Sequence, residues 1–207
     1  MTNRKDHWEG IYSDKSPLEV SWYQKEPTLS LQLIEHCQLD KDQPIIDVGG
    51  GASVLIDHLL SRGYTQTAVL DISDNALTVA RQRLADKANT VEWYVSDVTE
   101  FSAPHPFALW HDRAVFHFLT EASDRRKYIE ALKAGLSPGG FLILAAFAIG
   151  GPTMCSGLNI VQYDAEKISQ ELGIDFELIE QMGETHLTPS GGEQLFSYFR
   201  FKYKPTP

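Results

Sequence analysis

Ile45-Ile46-Asp47-Val48-Gly49-Gly50-Gly51-Ala52-Ser53, answered by Val69-Leu70-Asp71-Ile72, is the stretch that decides the fold. An apolar run ending in a carboxylate, then three glycines, then a helical pattern describes a strand that turns tightly into a helix. Glycine there lets the backbone reach conformations and close approaches that a side chain forbids. The second apolar run ends in another acid, Asp71, about 20 residues after the glycines. In a βαβ unit that offset sets a carboxylate beside the glycine turn, where it accepts hydrogen bonds from a ribose. The pair points to a nucleoside-containing ligand.

On the amino-terminal side, residues from Asp6 to about Gln38 predict two helical pieces, the second carrying Leu29, Leu33, Ile34 and Cys37 at helical spacing. Between them lies the aromatic segment Glu19-Val20-Ser21-Trp22-Tyr23-Gln24, stopped by Pro27. After the first strand (about Pro44 to Val48) comes a helix with Val54, Leu55, His58 and Leu59, ending near Gly63. A second strand, Thr67 to Asp71, leads to Ser73 as N-cap of a helix with Leu77, Ala80 and Leu84 on one stripe. A third strand, Val91 to Val95, ends at Ser96-Asp97-Val98, and a fourth, Phe107 to His111, at Asp112-Arg113. Thr120 opens a helix burying Ile129, Leu132 and Leu136, which Ser137-Pro138-Gly139-Gly140 terminates. Phe141 to Phe147 is the most hydrophobic strand and hence central; a glycine-rich connection to about Tyr163 and a short helix, Ala165 to Leu172, follow. Strands near Phe176 to Gln181 and Gln194 to Lys202, joined by Thr188-Pro189-Ser190-Gly191-Gly192, form a closing hairpin. This alternation predicts an α/β fold with a doubly wound parallel sheet, right-handed crossovers and an antiparallel end.

At 207 residues the chain is long enough for one α/β domain with a full core and too short for two, so a single domain over 1–207 is expected. Its 43% hydrophobic and 22% charged residues are ordinary for a globular protein. The net charge of −10 repels phosphate backbones and anionic lipid heads, so neither nucleic acid nor membrane is expected as a partner. The tight basic cluster Arg125-Arg126-Lys127 reads as an exposed helical face. Cys37 and Cys155 have no metal-ligand spacing, which predicts no metal site and a reducing compartment. Met1 to Gly10 lacks the apolar stretch of a signal peptide, and Phe141 to Ile149 is too short to span a bilayer. A cytoplasmic location is the expectation.

Four strand ends carry acids, Asp47, Asp71, Asp97 and Asp112, where an open parallel sheet presents its ligand. Any one alone reads equally as a helix cap or turn former; Asp47 and Asp71 bracketing three glycines favour a ligand role. A dinucleotide fingerprint requires a small residue where Val54 stands, and a phosphate loop requires a Gly-Lys-Ser/Thr ending that is absent. A nucleoside without phosphates remains.

These motifs resemble the class I S-adenosylmethionine-dependent methyltransferases. Ile46 to Ser53 is similar to the family's first motif, with Ser53 standing where the last glycine usually is. Asp71-Ile72 resembles the ribose-binding acid and the apolar residue flanking adenine, and Ser96-Asp97-Val98 resembles the third motif, whose acid meets the adenine amine. Leu136-Ser137-Pro138-Gly139-Gly140-Phe141-Leu142 matches the Leu-x-Pro-Gly-Gly turn before the fifth strand. The resemblance implies a Rossmann-like, doubly wound seven-stranded sheet in the order 3-2-1-4-5-7-6, the last strand antiparallel, with helices on both faces. It implies S-adenosylmethionine as cofactor, held by Asp47, Gly49, Gly50, Gly51, Asp71, Ile72, Asp97 and Val98. It also implies a helical lid over residues 1–40 on a core of 41–207, with Trp22 and Tyr23 either covering the cofactor or anchoring the first helices.

Leu109-Trp110-His111-Asp112-Arg113-Ala114-Val115-Phe116-His117-Phe118 falls where the family places its acceptor and resembles the Asp-Arg-Gly/Ala motif of thiopurine-type enzymes. That makes Asp112, Arg113 and His117 substrate-side candidates. His111 is the general-base candidate, because imidazole titrates near neutrality; a histidine satisfying a strand-end hydrogen bond is the alternative. His117 reads equally as core cover beside Phe116 and Phe118. With Val20 to Gln24 and His186-x-Thr-Pro-x-Gly, the layout is similar to enzymes that methylate a lysine of citrate synthase. The acceptor is therefore expected to be a protein lysine or a small molecule. Methyl transfer from an activated donor needs alignment and desolvation rather than a protein nucleophile or a metal. A nicotinamide-dependent oxidoreductase and a cofactor-binding scaffold without catalysis are the competing readings; Val54 and the lack of a Tyr-x-x-x-Lys pair disfavour the first.

Overall fold

A computed structural model describes residues 4–14, 16 and 18–206. Five strands pair in parallel: β1 (Ile45–Val48), β2 (Thr67–Asp71), β3 (Val91–Val95), β4 (Phe107–Arg113) and β5 (Leu136–Phe147). β6 (Met154–Cys155) and β7 (Leu158–Asn159) form a separate ribbon, and β8 (Phe176–Leu187) and β9 (Glu193–Tyr203) form the terminal hairpin. β9 inserts antiparallel between β5 and β8, giving a seven-stranded sheet in the order β3-β2-β1-β4-β5-β9-β8. With the ribbon set aside this is the expected 3-2-1-4-5-7-6; the ribbon, which the sequence reading took as a glycine-rich connection, shifts the last two labels.

The helices are α1 (Arg4–Asp14), α2 (Thr28–His36), α3 (Leu55–Ser61), α4 (Asp74–Leu84), α5 (Ala122–Gly135) and α6 (Ala165–Leu172). Successive strand residues point to opposite faces, so Ile46, Val48, Trp110, Leu142 and Leu144 meet Tyr128 and Leu132 of α5 and Ile168 and Leu172 of α6. On the other face Ile45, Leu109, Ile143 and Ala145 meet Leu31, Leu33 and Ile34 of α2 and Leu55 and Leu59 of α3. Val69 and Val91 pack there against Leu77 and Leu84 of α4. Helices thus cover both faces, and β1 and β2 are buried throughout, as inner parallel strands require.

Three local expectations shift. The hairpin strands run longer than their patterns suggested, because Glu177, Glu180 and Glu184 punctuate β8 while its backbone stays paired to the turn. Thr188 N–H donates to Gly192 O at 2.8 Å, and Gly192 N–H donates to Thr188 Oγ1 at 2.9 Å. β5 starts at Leu136 rather than Phe141, with a register shift against β4 between Phe107 and Leu109. Thr120 does not cap α5, whose N-cap is Glu121 without a side-chain bond. Ser73 caps α4 as expected, accepting from Ala76 N–H at 3.2 Å. Among the described residues, no helix is long and apolar enough to cross a membrane.

Candidate active site

At the end of β1, Gly49 N–H donates to Leu70 O at 2.7 Å and the chain turns with Gly49 at φ +67°. A Cβ there would stand 2.0 Å from Val115 Cγ2, so only glycine fits. At Gly50 it would meet Asp47 Oδ2 at 2.6 Å, and at Gly51 it would meet Asp71 Oδ2 at 2.7 Å. The bare turn is what lets both carboxylates close on the backbone. Ser53, in the family's glycine position, is exposed; its hydroxyl accepts from Leu55 N–H at 3.1 Å, and Arg83 donates to its carbonyl at 2.6 Å.

A cleft of about 860 Å³ of empty space opens at the carboxyl ends of β1, β2 and β3, bordered by Gly49, Asp71, Ile72, Asp97 and Val98. It continues past Trp8, Trp22, Phe118, Phe147 and Phe196 to Arg113 at the end of β4. An adjoining lobe of about 590 Å³ is bordered by Ser30, Asp47, Gly50, Tyr23 and His111, with Tyr12, Trp22, Gly49 and Arg113 common to both. The structure thus gathers most of the residues that the sequence singles out around one site.

Burial pushes the Asp71 carboxyl up to about 7, with repulsion from Asp47 and Glu9 adding to it, although Ser73 N–H donates to it at 2.8 Å. Asp97 accepts from Thr99 N–H at 2.9 Å through one oxygen and from Arg4 at 3.1 Å through the other. His111 is 3% exposed. Its Nδ1 lies 2.7 Å from Asp47 Oδ1 and its Nε2 lies 2.8 Å from Ser30 Oγ, so both ring nitrogens are engaged within the protein.

Asp112 and His117 do not border the cleft or its lobe. The pleat of β4 decides this for Asp112, which shares a face with Trp110 while His111 and Arg113 share the other. Fully buried, Asp112 accepts from Val115 N–H at 2.8 Å, Phe116 N–H at 3.1 Å and Tyr128 O–H at 2.7 Å, shaping the turn after β4. Burial pushes its carboxyl up to about 6 despite these donors. His117 sits behind the wall against Phe118 and Phe147, its Nδ1 accepting from Phe147 N–H at 3.4 Å. Burial, aided by Arg113, pushes that imidazole down to about 3 and keeps it neutral. Neither residue meets its substrate-side expectation.

Helix α1 roofs the site, and its side chains Arg4, Trp8, Glu9 and Tyr12 were not among the sequence candidates. Arg4 pairs with Asp97 and Asp124. Trp8 stands edge-on to Trp22 and Phe118, with centroids 5.8 and 5.0 Å apart. The Glu9 carboxylate accepts from Ser73 O–H at 2.8 Å and from Asp74 and Asn75 N–H at 2.9 and 3.1 Å, at the start of α4. Tyr12 reaches the glycine turn near Gly51. The only signal was Trp8 and Tyr12 four residues apart; α1 buries no residue fully, so it has no core stripe to find.

The donor set fits an adenosine: Asp71 and Asp97 as acceptors, Ile72 and Val98 as apolar flanks, and a turn with no Cβ to fill the space. Among the described residues, no His, Cys, Asp and Glu side chains group to hold a metal ion.

Residues 45–140 match the family model of a methyltransferase domain. Nodulation protein S of Rhizobium tropici is 29% identical over 101 residues, covering 49% of this chain and 42% of that protein. The chain matches half or less of the length of its curated relatives. A solved S-adenosylmethionine-dependent methyltransferase from Anabaena variabilis superposes with a TM-score of 0.76 at 17% identity, over 99% of this chain and 96% of that one. The N-methyltransferase NodS from Bradyrhizobium japonicum, in complex with S-adenosyl-L-homocysteine, superposes with a TM-score of 0.67 at 17% identity, over 99% and 94%. At that identity the structures speak for the fold, while the matched stretch carries the glycine turn, Asp71, Asp97 and the Pro-Gly-Gly turn. Over just under half of its length the chain is thus similar to a methyltransferase domain, and its fold is the one seen in solved S-adenosylmethionine-dependent methyltransferases.

Proposed function

We propose that this protein transfers a methyl group from S-adenosylmethionine to a small-molecule acceptor seated at the aromatic end of the cleft. One observation carries the reading: the bare glycine turn and the carboxylates after β2 and β3 border the same cleft that runs on into an aromatic chamber beside Arg113. The cofactor, when bound, supplies a methyl carbon on a sulfonium sulfur, so that the acceptor's lone pair forms the new bond as the C–S pair returns to sulfur and any proton on the acceptor is given up.

The chain's own residues align and desolvate. In this reading Asp71 accepts the ribose hydroxyls, and Ile72 and Val98 flank the base. Asp97 receives the adenine amine in competition with Arg4. Asp47, Gly50 and Tyr23 border the lobe that takes the amino-acid end, Gly51 gives Asp71 its close approach, and Trp22 walls both parts. His111 acts through Asp47: with both nitrogens engaged, it orients that carboxylate instead of taking a proton from the acceptor. Because no free base borders the aromatic end among the described residues, the acceptor reacts in a form already nucleophilic at working pH, its proton leaving to water. A protein lysine is the weaker alternative, since its ammonium would have to pass beneath α1 and approach a guanidinium.

Calorimetric titration with S-adenosylmethionine, S-adenosylhomocysteine and NAD, followed by transfer of labelled methyl to size-fractionated extract, tests this. The expected result is binding of the first two and label in the small-molecule fraction. Binding of NAD alone, or label confined to protein, refutes the corresponding part, and tight cofactor binding without transfer favours the scaffold.

A further inference from the structure

Arg113 holds out a donor that no described residue receives. Its Nε donates to Tyr198 Oη at 2.8 Å and its Nη1 donates to Trp22 O at 3.1 Å. Nη2 is buried with no hydrogen-bond partner. The Glu184 carboxylate lies 3.7 Å from it, close enough to balance charge and too far for a hydrogen bond. That carboxylate is already occupied, accepting from Tyr198 O–H and from the Gln24 amide, each at 2.9 Å. The Arg113 side chain is 10% exposed, stands 4.4 Å from the Phe196 ring centroid and borders both the cleft and its lobe. Buried donors in native proteins are almost always satisfied, and the side chain that carries this one borders the cleft.

The surroundings say what kind of ligand. Trp8, Trp22 and Phe118 meet edge to face on one side, and Phe147 and Phe196 pair at 4.7 Å on the other. Such walls favour a flat ring. The carboxylates of the cleft, Asp71 and Asp97, stand at its opposite, nucleoside end. At the aromatic end the charged partner among the described residues is a guanidinium, which donates only and matches a carboxylate with short, charge-assisted bonds.

We infer that the methyl acceptor is a small aromatic acid, its carboxylate bonded to Arg113 Nη2 and its ring held among Trp8, Trp22 and Phe118. The inference rests on the methyltransferase reading of the cleft and adds the chemistry of the second substrate. Arg113 becomes the specificity-determining residue: it selects an anionic ring over a neutral or cationic one.

Protein saturated with S-adenosylhomocysteine is titrated with benzoate, benzamide and benzylamine, and binding is followed by ligand-observed NMR. Benzoate is expected to bind at least about 10-fold more tightly than benzamide, the value of one charge-assisted bond, with benzylamine weaker still. Arg113→Gln brings benzoate to the affinity of benzamide. Glu184→Gln, which keeps Arg113 and removes the balancing carboxylate, tightens benzoate selectively and gives an independent reading if the arginine variant does not fold. Equal binding of acid and amide, no binding of any ring, or an acid preference that neither variant moves overturns the inference. Failure of S-adenosylhomocysteine to bind the wild-type protein would instead indict the reading of the cleft.

Discussion

Replacing His111 with phenylalanine separates a residue that orients Asp47 from one that takes a proton during transfer. The ring is 3% exposed, wedged between Asp47 and Ser30 at 2.7 and 2.8 Å. Phenylalanine keeps the ring's bulk but leaves Asp47 Oδ1 without its donor and the Ser30 hydroxyl without its partner. Leaving a buried carboxylate without its partner costs about 3–5 kcal/mol. In a chain of this size each kcal/mol moves Tm by about 2–4 °C, so a fall of about 6–20 °C is expected. Ser30→Ala removes only the outer partner, costs about 1–3 kcal/mol and lowers Tm by about 2–12 °C. Thermal unfolding with and without S-adenosylhomocysteine measures the stability loss. Transfer is then followed against pH, at a temperature where both variants are folded and saturated with cofactor. With an orienting histidine, the rate stays within about 10-fold of wild type and the pH profile keeps its shape. A His111→Phe protein that melts like wild type but is slowed about 100-fold or more, the scale of a lost general base, would refute the reasoning.

Other perturbations follow from the same geometry. Asp71 has its carboxyl raised to about 7 in the folded protein, above its ordinary value of 3.8. Its contribution to stability is therefore full below about 4 and lost as pH rises through about 7, whereas ribose hydroxyls need the ionised form. Affinity for S-adenosylhomocysteine should rise between pH 6 and 8 by up to about tenfold per unit, and in Asp71→Asn this rise should vanish; calorimetry at several pH values checks both. Gly49→Ala forces a Cβ to within 2.0 Å of Val115 Cγ2 at a positive φ. It should cost about 1–3 kcal/mol and weaken cofactor binding, read by denaturant unfolding and titration; wild-type stability would remove the steric argument. Glu9→Ala deletes the acceptor of three donors at the start of α4. It should speed hydrogen exchange in α1 by about fivefold, the worth of about 1 kcal/mol of helix-terminus bonding, while leaving β1 and β4 protected; unchanged exchange in α1 would show that the roof is held otherwise.

Much of the site was legible because its residues sit at strand ends, where the chain announces itself by a change of period from apolar run to acid or glycine. Asp71 and Asp97 are found that way, and Gly49 with them. Asp112 shows the limit of the same rule. It too ends a strand, but the pleat turns it to the face covered by α5, where Tyr128 takes its carboxylate. Which face of β4 is the ligand face depends on which helices pack on it, and no local pattern records that. The contacts of helix α1 escaped for a different reason: it covers a cleft instead of a core, so it needs no apolar stripe, and its hold on the site comes from Arg4 and Glu9 reaching Asp97 and Ser73 far along the chain.

The sequence by itself determined the parallel sheet with its antiparallel end and a turn suited to a nucleoside, because strand period, glycine turns and terminal acids are properties of adjacent residues; the strand order and the cofactor came from the resemblance those motifs carry. The tertiary structure alone decided the roles around the acceptor. His111 meets Ser30 from 81 positions away and Asp47 from 64, and Arg113 reaches Tyr198 from 85. Whether such a group is a free base, a buried strut or an unfilled donor is set by what surrounds its nitrogen atoms. Those surroundings come from several elements brought together by packing, and nothing in the order of the residues fixes them.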